Sequence, residues 1–121
     1  MSTKDITAAE FNGIISDNDI VLVDFWASWC GPCRAFAPTF TASSEKHPDV
    51  FHAKVDTEAE QGLASAAEIQ AIPTLMAFKK GQLVFRHSGM LAANQLDEVI
   101  SQIKEFDIDA AMADDSATTD I

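Results

Sequence analysis

The sequence predicts an α/β fold, a three-layer α/β/α sandwich around a central mixed sheet of four to five strands. Residues 20–27 form a nearly continuous apolar run, which is typical of a strand covered by helices on both faces. Strand-like and helix-like segments alternate along the chain, and this alternation favours parallel neighbouring strands with right-handed crossovers. Two strand-like segments that meet across residues 79–82 add an antiparallel pair.

The first helix is marked by a capping box. Thr7 can cap the backbone N–H of Glu10 while the Glu10 side chain reaches back to Thr7. Ile6 and Phe11 supply the hydrophobic staple that accompanies such a cap. We therefore expect a helix over about residues 8–16, preceded by a short strand at most.

The second helix is predicted over about residues 33–46, after the buried strand and the loop at residues 28–32. Pro38 lies inside this helix and should kink it, because proline has no N–H to donate and crowds the preceding turn. The segment at residues 47–49 contains a second proline and ends the helix.

The second half of the chain predicts a strand, a helix, a hairpin and a final helix. The strand covers about residues 50–56, and a second capping box at Thr57 and Glu60 opens a short helix. The hairpin pairs residues 74–78 with residues 83–87. Apolar residues at helical spacing predict a terminal amphipathic helix: Leu96, Val99, Ile100, Ile103 and Phe106.

Length and charge narrow the class of protein. The 121 residues fit one domain at 1–106, followed by an acidic tail at 107–121 whose composition predicts disorder. The formal net charge of −11 argues against a nucleic-acid partner. No apolar run approaches the roughly 20 residues that span a bilayer, and the first residues lack the pattern of a secretory signal. We expect a soluble, monomeric, cytoplasmic protein with no membrane partner.

The two cysteines of the chain, Cys30 and Cys33, enclose Gly31 and Pro32. A disulfide between them closes too small a loop to contribute much stability, so the pair is expected to serve chemistry. At a helix N-terminus, free N–H groups and the positive end of the helix dipole favour an exposed Cys30 thiolate. Cys33 follows one turn later and can attack the Cys30 sulfur. Gly31 and Pro32 permit the turn and begin the helix.

A zinc site is the competing interpretation of two cysteines at this spacing. Zinc would need two further ligands. The chain has no other cysteine, and its histidines, His47, His52 and His87, are scattered along the sequence. We therefore expect no metal site.

Asp24 is an anomaly, because it is a carboxylate within the apolar strand. Burial disfavours the charged form and raises the pKa of a carboxylic acid. A raised pKa suits a proton acceptor for a thiol near neutral pH. The alternative is a carboxylate at the end of the strand that turns to solvent.

The segment from Val23 to Arg34, Val-Asp-Phe-Trp-Ala-Ser-Trp-Cys-Gly-Pro-Cys-Arg, resembles the active-site strand and loop of the thioredoxin family. The resemblance continues through residues 53–56, residues 72–74 and Gly89, and covers about residues 5–106. It implies the thioredoxin fold. It also implies that Asp24 lies beneath the resolving cysteine and assists its deprotonation, with Lys54 as a neighbour.

The resemblance further implies a client-binding surface around the cysteines. Pro73 corresponds to a cis-proline beside them, and the Ile72 backbone is expected to pair with the client chain as an added strand. Trp29 should lie at the rim of the site. Gly89 permits close approach of a partner backbone, and Met90 could add an adaptable apolar contact.

The function implied is that of a general protein disulfide reductase that maintains redox homeostasis. Cys30 is the nucleophile and Cys33 the resolving thiol. Gly-Pro between the cysteines resembles the reducing members of the family. No cofactor is expected on the chain, since electrons are expected from NADPH through a flavoprotein thioredoxin reductase, and clients are disulfide-containing proteins. The alternative is a non-catalytic binding or chaperone module that redox state regulates.

Overall fold

The computed structural model describes residues 3–111, and its elements confirm the predicted three-layer α/β/α sandwich. The strands are β1 (Thr3–Asp5), β2 (Ile20–Trp26), β3 (Phe51–Asp56), β4 (Thr74–Lys79) and β5 (Gln82–Ser88). The helices are α1 (Ala8–Asp17), α2 (Gly31–Lys46), α3 (Gln61–Ala66) and α4 (Ala93–Glu105). Pro38 lies inside α2 as predicted.

The strands form one mixed sheet in the order β1-β3-β2-β4-β5. The first three of these strands are parallel, whereas β4 runs antiparallel to β2 and β5 antiparallel to β4. The strand β2 is therefore central and has a neighbour on each side. All but its last residue are buried, as the apolar pattern predicts.

Side-chain alternation along β2 divides the core between the two faces of the sheet. Leu22 belongs to a cluster that packs with α2 and α4 and includes Phe36, Phe40, Leu96 and Ile100. Val21 and Val23, on either side of Leu22, point to the opposite face of the sheet. There they belong to a second cluster that α1 helps to cover, whose members are Ile6, Ile15, Val21, Val23, Phe25, Ala53, Val55, Met76 and Phe78. Each face of β2 is thus covered, which explains why its sequence is apolar on both sides.

The first predicted capping box is present and the second is wrong. The Glu10 N–H donates to Thr7 Oγ1 at 3.3 Å, and the Thr7 N–H donates to Glu10 Oε1 at 3.0 Å. Thr57 instead donates its hydroxyl to the Trp26 carbonyl at 3.0 Å. Glu60 accepts the Ala8 N–H at 2.8 Å, so tertiary partners compete successfully for both side chains of the second box.

The hairpin between β4 and β5 turns through Lys80 and Gly81. Both residues have positive φ, 50° and 80° respectively, as a two-residue hairpin turn of this kind requires. Gly81 adopts this conformation at little steric cost. The turn places Lys79 and Gln82 opposite each other at the closed end of the hairpin.

A buried lysine fastens α4 to the sheet. Lys79, the last residue of β4, is buried. Its Nζ donates to the carbonyl oxygens of Ile103 at 2.7 Å, Lys104 at 3.1 Å and Phe106 at 2.7 Å. The three donors of one ammonium group thus bind carbonyls at and just after the end of α4, where backbone N–H partners run out, although the Ile103 carbonyl also accepts the Phe106 N–H at 3.2 Å. The positive charge also complements the negative end of the helix dipole.

Replacing Lys79 with methionine should lower the free energy of unfolding by about 3 kcal/mol, because three buried or part-buried carbonyls lose the ammonium donor while most of the side-chain volume remains. Urea unfolding followed by circular dichroism measures the change. Lys80→Met is the matched control: Lys80 is exposed and pairs with Asp109 at 2.8 Å, and a solvent-exposed ion pair of this kind contributes little to stability. Equal losses in the two variants would contradict the role assigned to Lys79.

Residues 108–111 form one further helical turn, in which Ile108 is buried and Asp109 pairs with Lys80. The first residues of the predicted tail therefore pack against the domain. Residues 112–121, the rest of the tail for which disorder was predicted, lie outside the described residues. Among residues 3–111, no helix combines the length and the apolar character needed to cross a membrane.

Candidate active site

The cysteine pair lies where β2 is followed by α2, and Cys30 is the N-cap of that helix. The helix begins at Gly31, earlier than predicted, with the Arg34 N–H donating to the Cys30 carbonyl at 3.1 Å. The Cys33 N–H donates to Cys30 Sγ at 3.2 Å. A backbone donor and the positive end of the helix dipole thus both face the Cys30 sulfur, and both favour a thiolate there.

The structure holds the pair in its oxidised form, as a disulfide between Cys30 and Cys33 with a Cα–Cα distance of 5.2 Å. The expectation of an exposed Cys30 is not met in this form. Cys30 is 4% exposed and Cys33 is 3% exposed, so whole-residue exposure does not distinguish them. The reason is packing: the pair clusters with Ala27, and Trp26 and Ile72 lie against it.

The segment before β4 approaches the cysteines from the side. The Ile72–Pro73 peptide bond is cis, as the resemblance implied, and the Ile72 carbonyl oxygen lies 3.7 Å from Cys30 Sγ. The Gly89 N–H donates to the Pro73 carbonyl at 2.7 Å. Gly89 has φ of 103°, a conformation that glycine adopts readily. The sequence-predicted residues Ile72, Pro73 and Gly89 are therefore brought together beside Cys30.

The rim of the site is open and apolar. Trp29 is 65% exposed and Met90 is 45% exposed. Gly31 and Pro32 are also exposed. A shallow depression of about 200 Å³, here called the Trp29 groove, is lined by Trp29, Thr57, Ala64, Ile69, Gln70, Ala71 and Ile72. An extended client segment could lie along this surface, next to the disulfide.

Asp24 is fully buried in the middle of β2, which excludes the solvent-facing alternative. Neither of its carboxylate oxygens has a hydrogen-bond partner within residues 3–111. Burial raises the pKa of Asp24 from its ordinary 3.8 to about 7, and the opposing attraction of Lys54 is the smaller effect. Alternation along β2 places Asp24 on the same face as Leu22 and Trp26, the face that α2 covers.

Lys54 lies beside Asp24 as the resemblance implied. The two residues are partners in the parallel register of β2 and β3. Lys54 is half-buried, and its Nζ lies 5.0 Å from the centroid of the Trp26 ring. This position fits a cation–π contact. The ring thus holds the lysine next to the buried carboxylate.

The histidines do not gather at the cysteines. His47 Nε2 lies 3.1 Å from Asp97 Oδ1, and His52 is buried with its Nε2 3.0 Å from Ser43 Oγ. His87 belongs to β5. No group of three or more His, Cys, Asp or Glu side chains within the described residues could hold a metal ion.

Three residues at the site were not singled out for a site role from the sequence. Thr57 lines the Trp29 groove, and Arg34 donates to the Ser28 carbonyl at 2.9 Å, which closes the loop before Cys30. Arg86 binds the turn after α3, which leads into the groove. Thr57 and Arg86 bind backbone carbonyls distant along the chain, and the carbonyl that Arg34 binds has no side-chain signature, so no sequence pattern indicates these contacts.

Comparison with known proteins points to one family. The family model described as Thioredoxin matches residues 2–104. Putative thioredoxin 2 of Streptomyces coelicolor is 44% identical over 108 residues, which cover 89% of this chain and 81% of that protein. Thioredoxin-1 of Saccharomyces cerevisiae is 39% identical over 89 residues, covering 74% and 86% respectively. A mutant thioredoxin from Halobacterium salinarum superposes with a TM-score of 0.82 at 34% identity, covering 88% of this chain and 94% of that one.

Proposed function

The chain belongs to the thioredoxin family and is a thiol–disulfide oxidoreductase, and we propose that it donates electrons to protein disulfides as a general reductant. The observation that carries this proposal is the cysteine pair at the N-terminus of α2, where Cys30 Sγ accepts the Cys33 N–H. A sulfur in that position is stabilised as a thiolate and leaves or attacks readily. Maintenance of redox homeostasis fits this chemistry.

The proposed reaction has two exchange steps. The Cys30 thiolate attacks one sulfur of a client disulfide, so the client S–S bond breaks, a mixed disulfide forms and one client thiolate leaves. The Cys33 thiolate then attacks Cys30 Sγ and displaces the second client thiolate. Two electrons pass to the client, the client thiolates take up two protons, and the chain ends with the Cys30–Cys33 disulfide.

Asp24 is proposed as the proton acceptor for Cys33. A carboxyl group with a pKa of about 7 can take a thiol proton near neutral pH, whereas an ordinary aspartate is too weak a base. Two facts support this role: Asp24 lies on the sheet face that α2 covers, and its oxygens have no other hydrogen-bond partner in the described part of the chain. The positive charge of Lys54 lowers the energetic cost of ionising the buried Asp24 carboxyl group.

Clients are proposed to bind across Trp29, Ile72, Pro73, Gly89 and Met90. The exposed Trp29 and Met90 offer apolar contact to an extended segment. The Ile72 backbone can pair with that segment as an added strand, which would bring a client disulfide next to Cys30. Gly31 and Pro32 leave the space above the cysteines free of long side chains.

The electron source is proposed to be NADPH, acting through a flavoprotein thioredoxin reductase, with no cofactor held by the chain itself. We place the protein in the cytoplasm, because both of its cysteines belong to the reactive pair and a reducing compartment keeps such a pair supplied with electrons. Its partners would be this reductase and disulfide-containing clients. The monomeric state stays a prediction.

The assay that tests the proposal is NADPH-linked reduction of insulin by the purified chain with a thioredoxin reductase. We expect NADPH oxidation and insulin precipitation that both depend on the chain. Omitting the chain, and separately the reductase, provides the controls. Dithiothreitol in place of the reductase tests disulfide reduction by the chain separately from its electron source. If the chain reduced insulin with dithiothreitol but no thioredoxin reductase could drive it, only the proposed electron source would be contradicted.

A further inference from the structure

The turn that ends α3 has an unusual residue at its centre. The Glu68 N–H donates to the Ser65 carbonyl and the Ile69 N–H to the Ala64 carbonyl, each at 3.0 Å. This is the hydrogen-bond pattern of a Schellman motif, whose central position is usually glycine. Glu68 has φ of 56°, in the left-handed region that disfavours residues with a Cβ. The turn therefore needs support from elsewhere to keep its shape.

Arg86 supplies that support from the edge strand β5. Its Nη1 donates to the Ala67 carbonyl at 2.7 Å, and its Nη2 donates to the Glu68 carbonyl at 2.6 Å. The planar guanidinium holds both oxygens at once, which the single ammonium of a lysine cannot do with the same geometry. The positive charge also lies at the carboxyl end of α3, where the dipole favours it.

The same turn leads directly to the client-binding surface. Ile69, Gln70, Ala71 and Ile72 follow it and line the Trp29 groove, and Ile72 reaches Cys30. Downstream, the Thr74 hydroxyl donates to the Ala71 carbonyl, and the Gly89 N–H donates to the Pro73 carbonyl. The segment is thus held at both ends, and Arg86 holds the upstream end.

We propose that Arg86 is a positioning residue for client binding: its fork on Ala67 and Glu68 sets the position of residues 69–72, and so the fit of a client chain in the Trp29 groove. The inference rests on the proposed function, because it assumes that clients bind along Ile72. Arg86 does not touch the disulfide pair. Its loss should therefore weaken the binding of extended protein clients and leave the reactivity of the sulfurs unchanged.

The test compares two disulfides of different size in single-turnover reactions of the pre-reduced chain. For Arg86→Met we expect the half-saturating concentration of insulin to rise about fivefold with an unchanged limiting rate, as for a residue that acts through its neighbours. The rate with hydroxyethyl disulfide, which is too small to occupy the groove, should stay the same. Hydrogen exchange should show faster exchange of the Ile69 amide.

Arg86→Lys and Lys80→Met complete the design. Arg86→Lys keeps the positive charge on β5 and serves as a second variant in case Arg86→Met fails to fold. It should behave like Arg86→Met, because a lysine cannot donate to the Ala67 and Glu68 carbonyls at the same time with the same geometry. Lys80→Met removes a cation from the β4–β5 turn and should change neither reaction. An unchanged insulin half-saturation in Arg86→Met, full retention in Arg86→Lys, or equal losses with both disulfides would overturn the proposal. Failure of the wild-type chain to reduce insulin would instead count against the proposed function.

Discussion

Replacing Cys30 with serine should reduce the rate of insulin reduction at least about 10³-fold, because a serine hydroxyl at neutral pH cannot replace the thiolate nucleophile. The fold should persist, since the exchange changes one atom in a pair whose disulfide closes too short a loop to stabilise the protein much. The dithiothreitol-driven insulin assay measures the rate. Circular dichroism of the same sample checks the fold.

The contrasting variant is Cys33→Ser. Here the first exchange step remains possible and the second does not, so mixed disulfides between Cys30 and client proteins should accumulate. Non-reducing gel electrophoresis with mass spectrometry detects them. If Cys30→Ser trapped clients instead, the assignment of nucleophile and resolving thiol would be reversed.

The Cys30→Ser/Cys33→Ser double variant distinguishes the reductase from the redox-regulated binding or chaperone module. The binding module requires the fold and its exposed apolar rim but not the thiols. A reductase requires both thiols, so complementation of a strain that lacks its own thioredoxins should fail with the double variant. Full complementation would favour the binding module.

Replacing Asp24 with asparagine should change the free energy of unfolding of the oxidised chain, and the difference from wild type should favour the variant by about 4 kcal/mol more at pH 8 than at pH 4. The size follows because each unit of pKa shift corresponds to about 1.4 kcal/mol. The sign follows from the raised pKa. Between pH 3.8 and about 7 the folded state keeps the Asp24 proton while the unfolded state has released it. Wild-type stability therefore falls as the pH rises through this window, and the loss is complete above pH 7.

Urea unfolding of the oxidised protein from pH 4 to pH 8 measures this effect, because neither cysteine titrates in the disulfide form. Comparing the two ends of the range cancels the constant cost of burying an amide. Asp17→Asn is the control, since it makes the same exchange at an exposed position at the end of α1. A difference between wild type and Asp24→Asn that does not vary with pH would contradict the raised pKa.

The same Asp24 variant tests the proposed proton transfer. If Asp24 accepts the Cys33 proton, Asp24→Asn should slow release of the client from the mixed disulfide and leave the rate of its formation unchanged. Rapid-quench measurements of both steps near pH 7 resolve the two. An equal slowing of both would indicate that the carboxylate acts on Cys30 or on the fold.

Much of the fold was predictable, because local sequence patterns indicate where its strands and helices begin and end. The apolar run at residues 20–27 identified the central strand, and Thr7 with Glu10 identified the start of α1, since capping needs only residues close in sequence. The capping box predicted at Thr57 and Glu60 was wrong for the converse reason. Its side chains bind Trp26 and Ala8, which approach only when the sheet and α1 assemble.

The sequence by itself determined the reactive chemistry and the family, because Cys30 and Cys33 with the motif around them are contiguous. The tertiary structure alone decided what surrounds that chemistry. It decided that Asp24 is buried rather than turned to solvent, packed Ile72 against the disulfide, and brought Lys79 to the end of α4 and Arg86 to the turn after α3. Each of these depends on desolvation or on hydrogen bonds to backbone groups far along the chain. The backbone carbonyls that Lys79 and Arg86 bind carry no side-chain signature, so no pattern in the sequence indicates those two contacts.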